Sequence, residues 1–238
     1  MKYLIPLGLV MSGLPFAGRA AEPPATPAVT IALGARHGHC TPSRTGFTHT
    51  GAGNIDVAQP APDTVIVTMT GVAVAGAHPC KDSAASLDFD LEQGFEISFA
   101  NAATKQGKLT LEARVIGLLR SHSKGSAQEG PACATVTSGA SELVSVCAPA
   151  HSVACGENLS INCREGPVEA QVAPGKFTLH QSFTVSASHP HCLVPCKAAS
   201  AEFAPDPALD PLWISYWEPF HGAAKKDFGF QVIMKASP

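Results

Sequence analysis

The chain has 238 residues, of which 45% are hydrophobic and only 6% aromatic, and its 16 Lys and Arg against 19 Asp and Glu leave a net charge of −3. No stretch concentrates cations, which argues against a nucleic-acid partner or an acidic membrane surface, since phosphate recognition needs a concentrated basic face. Val, Thr, Ser, Gly and Pro fill the periodic stretches, and no long segment repeats apolar residues at spacings of three and four. A helical architecture is thereby disfavoured and an all-β fold expected.

Residues 1–20 read as a signal peptide. Met1 and Lys2 precede an uncharged apolar run from Tyr3 to Ala17, and the small residues Gly18 and Ala20 suit a peptidase cutting after Ala20. That run is interrupted by Pro6, Gly13 and Pro15 and is shorter than the ~20 residues of a bilayer span, so no membrane span is expected. The first cysteine is Cys40, too far from the cut for a lipid anchor there. The mature protein is then extracellular or periplasmic. Residues 21–28 are proline-rich and expected to be disordered.

Strand candidates follow in order: Val65 to Val74, Leu87 to Glu92, Phe95 to Phe99 and Lys108 to Leu118, then Lys176 to Val185, Leu212 to Trp217 and Phe228 to Lys235. Each alternates or is rich in β-branched residues, and turn residues bound them. The order of elements repeats. Ala58, Gln59, Ala61 and Pro62 match Ala170, Gln171, Ala173 and Pro174 at one offset, and Phe95 to Ser121 runs without gaps onto Leu212 to Pro238. Collinear matches of this kind predict an internal duplication. The expected architecture is two related antiparallel β-sandwich-like units, residues 29–122 and 132–238, joined by a linker over 123–131 whose Gly, Ser and Pro content suits a connector.

Eight cysteines, an even number behind an export signal, read as disulfides rather than as a thiolate metal site, which needs reduced sulfur. Equivalence of the halves pairs Cys40 with Cys80 and Cys155 with Cys196. At least one bridge is expected among Cys133, Cys147 and Cys163, with Cys192 taking the third of these.

Three groups of residues carry possible chemistry. His37-Gly-His39 and His189-Pro-His191 place imidazoles two apart; on an extended chain such pairs point the same way and suit a copper or zinc ion, although Gly38 and Pro190 also read as turns. Asp88, Asp90 and Glu92 put three carboxylates on one face of a strand, as a calcium site or simply a solvated face would. Trp213, Tyr216, Trp217 and His221 gather both tryptophans in one stretch, where aromatic rings would stack on a sugar or a partner chain, or pack in the core. No metalloprotease helix, nucleophile elbow, phosphate loop or dinucleotide glycine pattern occurs. The leading expectation is therefore an exported, non-catalytic binding or structural β-sandwich protein with a protein or carbohydrate partner. A histidine-based copper or zinc protein is the second reading and a secreted hydrolase with an unrecognised site the third.

Overall fold

The computed structural model describes residues 27–46, 48–50, 53–76, 81–101, 103–121, 124–191, 199–203 and 228–238. Among these the fold is all-β, in fifteen strands: β1 (Val29–Thr45), β2 (Thr48–Thr50), β3 (Asn54–Ala61), β4 (Thr64–Thr70), β5 (Val72–Ala75), β6 (Ser83–Phe99), β7 (Gly107–Arg120), β8 (Ser126–Glu129), β9 (Ala132–Ser138), β10 (Ser141–Ala148), β11 (His151–Ala154), β12 (Asn158–Val172), β13 (Gly175–His189), β14 (Ala199–Glu202) and β15 (Gly229–Ser237). No helix among the described residues is long and apolar enough to cross a membrane.

The strands form two antiparallel sheets. In the seven-stranded sheet β1, β6 and β13 lie side by side, and the far edge of β13 is shared by β8, which pairs with β11, and β9, which pairs with β10. In the eight-stranded sheet β7 is central. β12 follows one of its edges, while the other is divided between β15, leading to β4 and β3, and β14, leading to β5 and β2.

Period-two patterning decides which face of each strand is dry. Along β6, Leu87, Phe89, Leu91, Phe95 and Ile97 are buried while Asp88, Asp90, Glu92 and Glu96 are exposed; along β13, Phe177, Leu179, Phe183 and Val185 point inward. They share one core with Leu109, Leu111 and Val115 of β7, Val67 and Met69 of β4, and Val232 and Met234 of β15. Phe183 is its hub, with ring centroids 5.9 Å from Phe89, 5.2 Å from Phe203 edge-on and 5.6 Å from Phe230. The Phe203 ring lies directly on Gly117, where a Cβ would sit only 2.2 Å from it, so any side chain at that position would have to displace the ring.

Three expectations change. Residues 126–129, read as linker, are strand β8. The sheets do not divide at that junction, because β13 of the second half pairs with β6 of the first, and β14 and β15 both pair with β7. A duplication would also carry β4 and β7, both in the eight-stranded sheet, onto β13 and β15, which belong to different sheets. The repeated Ala-Gln-x-Ala-Pro chemistry instead marks two outer strands, β3 and β12, that each end in a tight turn, one into β4 and one into β13. Finally, the Val65 to Val74 strand is broken at Gly71, whose Cβ would lie 2.6 Å from Leu87 and 2.8 Å from Phe89.

Cys133 and Cys147 face each other in the β9–β10 hairpin and are bridged, with Cα atoms 4.1 Å apart. Cys40, Cys155 and Cys163 are not bridged to any other described cysteine. Cys80, Cys192 and Cys196 lie outside the described residues, and so do residues 1–20.

Candidate functional site

The outer face of the seven-stranded sheet carries organised polar chemistry. At one end it carries a groove of about 350 Å³ running across β1, β6, β13 and β8. Strand register explains its lining: Ser43, Ser86, Ser186 and Gln128 form one lateral row, and Thr45, Ala84, Ser188 and Ser126 form the next. Alternation aims these small side chains outward, and their size makes the trough. Ser126 and Ser188 share a hydrogen bond of 2.8 Å, and no charged side chain among the described residues lines the groove.

Further along the same face the small residues give way to ionisable ones. His37 lies opposite Glu92, which lies opposite His180; His39 lies opposite Asp90, which lies opposite Ser182; Thr41 lies opposite Asp88, which lies opposite Thr184. Thr184 Oγ1 donates to Asp88 at 3.0 Å. The His-x-His pair read from the sequence therefore sits on a strand, not in a turn, and meets the carboxylate row in register. As the side chains are placed, no three His, Cys, Asp or Glu groups among the described residues converge closely enough to hold an ion.

His189 and His191 fare differently because β13 ends at His189 and the alternation stops there. His189 is buried, its Nδ1 donates to the Pro190 carbonyl at 2.7 Å, and its Nε2 has no partner among the described residues. His191 is exposed, its backbone N–H and Nδ1 meeting Asp82 Oδ1 at 2.8 and 3.2 Å. The His191 N–H, and then its ring, hold the Asp82 carboxyl below its ordinary pKa. His189 stands opposite Ser83 and His37 opposite Glu92, positions some 30 Å apart along β6 at ~3.3 Å per residue, so the two histidine pairs serve no common ion. Trp213, Tyr216, Trp217 and His221 fall outside the described residues.

A third cluster escaped the sequence reading. Glu129 of β8 points inward with its side chain fully buried, and Oε2 lies 3.3 Å from Nδ1 of the cross-strand His151 while Oε1 has no partner among the described residues. Burial pushes its pKa up to about 8. At neutral pH the carboxyl is therefore protonated, and its O–H is able to donate to the imidazole nitrogen 3.3 Å away. Cys163 of β12 is close enough to feel the Glu129 charge, yet burial first, and then Glu129 and Glu165, raise its thiol pKa. A nucleophilic cysteine needs the opposite shift. Cys, His and Glu gather here without the electrostatics of a thiol hydrolase. Glu129 was hidden because it sits in a segment whose Gly, Ser and Pro read as a connector.

No protein-family model, no curated protein and no solved structure matches the chain.

Proposed function

We propose that the chain is an exported, non-catalytic binding module that offers the outer face of its seven-stranded sheet to an uncharged, hydrogen-bonding partner, an oligosaccharide before a protein. The observation that carries this reading is the groove on that face, whose described lining consists of the hydroxyls of Ser43, Thr45, Ser86, Ser126, Ser186 and Ser188 with the Gln128 amide and small alanines, none of them charged. Sugar hydroxyls both donate and accept, and serine and glutamine side chains answer both. A protein partner would call for the buried aromatic or arginine anchors that dominate protein interfaces, and none lines the groove among the described residues. Export is supported by the N-terminal pattern and by the Cys133–Cys147 bridge, because such bonds persist in oxidising compartments. Catalysis is disfavoured by the raised Cys163 thiol and by the absence of nucleophile motifs.

The test is a screen of neutral glycans against the purified protein and its Ser186→Trp variant, which fills the trough from an exposed-face position without touching the core. The expected result is a glycan whose affinity falls about tenfold or more in the variant, with an unchanged thermal midpoint. Failure of every neutral glycan to bind, or binding indifferent to the tryptophan, would overturn the assignment.

A further inference from the structure

We propose that His37, His39, Asp90 and Glu92 form a surface site for one divalent transition-metal ion of the zinc type, independent of the groove. The strand register makes the case. His37 is the Cα partner of Glu92 and His39 that of Asp90, so the four residues stand at the corners of a rectangle roughly 5 Å across the strands and 7 Å along them. All four are exposed on the same face of the sheet. Two imidazoles and two carboxylates suit zinc, which takes N and O ligands at about 2.0 to 2.2 Å and imposes little geometry of its own.

The surroundings favour an incoming cation. Neither Asp90 nor Glu92 has a lysine or arginine as cross-strand neighbour; their partners in β1 and β13 are His39 and Ser182, and His37 and His180. Asp88, the third carboxylate of the row, is engaged by Thr184 and stays outside the site while adding to the local negative potential. The four proposed ligands have no hydrogen-bond partner among the described residues, so rotation about their side-chain bonds brings them over the centre of the rectangle with nothing to break. The cost is rotamer entropy in four exposed side chains, which a metal–ligand set of this kind exceeds. His180 and Ser182, on the far side of the carboxylates, are placed to orient Glu92 and Asp90 as outer-shell partners.

Equilibrium dialysis of the untagged protein against zinc chloride alone tests the site, using His37→Ala/His39→Ala, Asp90→Asn/Glu92→Gln and, as a control, His191→Ala. All five positions are exposed, and the metal-free melting midpoint of each variant verifies that it folds. The expected result is saturable binding of one zinc per chain, weakened about tenfold or more by either double substitution and untouched by His191→Ala, with zinc raising the melting midpoint of the parent and not of the double variants. Absence of saturable binding, or an affinity that survives either double substitution, would overturn the proposal.

Discussion

Two buried glutamates show how differently one fold handles the same chemical problem. Glu202 and Glu129 lie on four-residue strands, β14 and β8, each sharing an edge of a long central strand, β7 or β13, with a neighbour. Glu202 is 4% exposed and meets Arg120 Nη2 at 3.0 Å, while its other oxygen accepts from Ser200 Oγ at 2.5 Å. Glu129 is 1% exposed and has, among the described residues, only the partly buried His151 as a side-chain partner. One carboxyl is buried together with a guanidinium; the other gives up its charge by keeping its proton. A buried carboxyl therefore signals nothing by itself, and its partner decides whether it acts as a fixed link or as a pH-dependent one.

The largest expected effect breaks the first arrangement. Arg120→Met removes the guanidinium and leaves the Glu202 carboxylate in a buried site, which should cost about 3 to 5 kcal/mol in urea unfolding at pH 7. A loss below about 1 kcal/mol would show that the pair is not the strong link its burial implies.

The next effect sharpens the second arrangement. The Glu129 pKa is raised from an ordinary 4.5 to about 8, so between those values the folded state holds a proton that the unfolded chain has released. Stability from this group is complete below about pH 4.5, declines as pH rises, and is gone above about 8, with a slope of at most about 1.4 kcal/mol per pH unit. Glu129→Gln keeps the shape and cannot ionise. The difference in unfolding free energy between parent and variant should therefore move steadily in the variant's favour from pH 5 to pH 8, and a constant difference would refute the buried neutral carboxyl.

How far these sites were legible in the sequence follows from parity. The exposure of Asp88, Asp90 and Glu92 and the burial of Leu87, Phe89 and Leu91 can be read from alternation alone, because a strand has only two faces. That His37 and His39 would stand opposite Glu92 and Asp90 could not be read, since register between distant strands is fixed by the packing of the whole sheet. The two halves look alike because β3 and β12 share an outer-strand ending, a local resemblance that says nothing about which sheet the following strand joins. Glu129 was missed for a related reason: four residues are too few to display a period, and a short strand rich in Ser and Ala has the composition of a linker.

His151→Ala gives the smallest effect and decides what kind of contact Glu129 makes. The imidazole is about a quarter exposed, at 27%, and lies 3.3 Å from the carboxyl. If Glu129 is neutral, removing His151 deletes one ordinary hydrogen bond and opens the pocket to water, so the loss at pH 6 should be about 1 kcal/mol. The pH dependence of the Glu129 group should persist, because its cause is burial, with the upper pKa falling somewhat as water reaches the carboxyl. An ion pair predicts the reverse. The loss would be several times larger at pH 6, where both groups would be charged, and the carboxyl pKa would rise once its cation was gone. Carbon-detected titration of the Glu129 side chain in parent and variant reads that sign directly: a lower pKa in His151→Ala supports a carboxyl kept neutral by burial, and a higher one makes Glu129 an ion-paired residue.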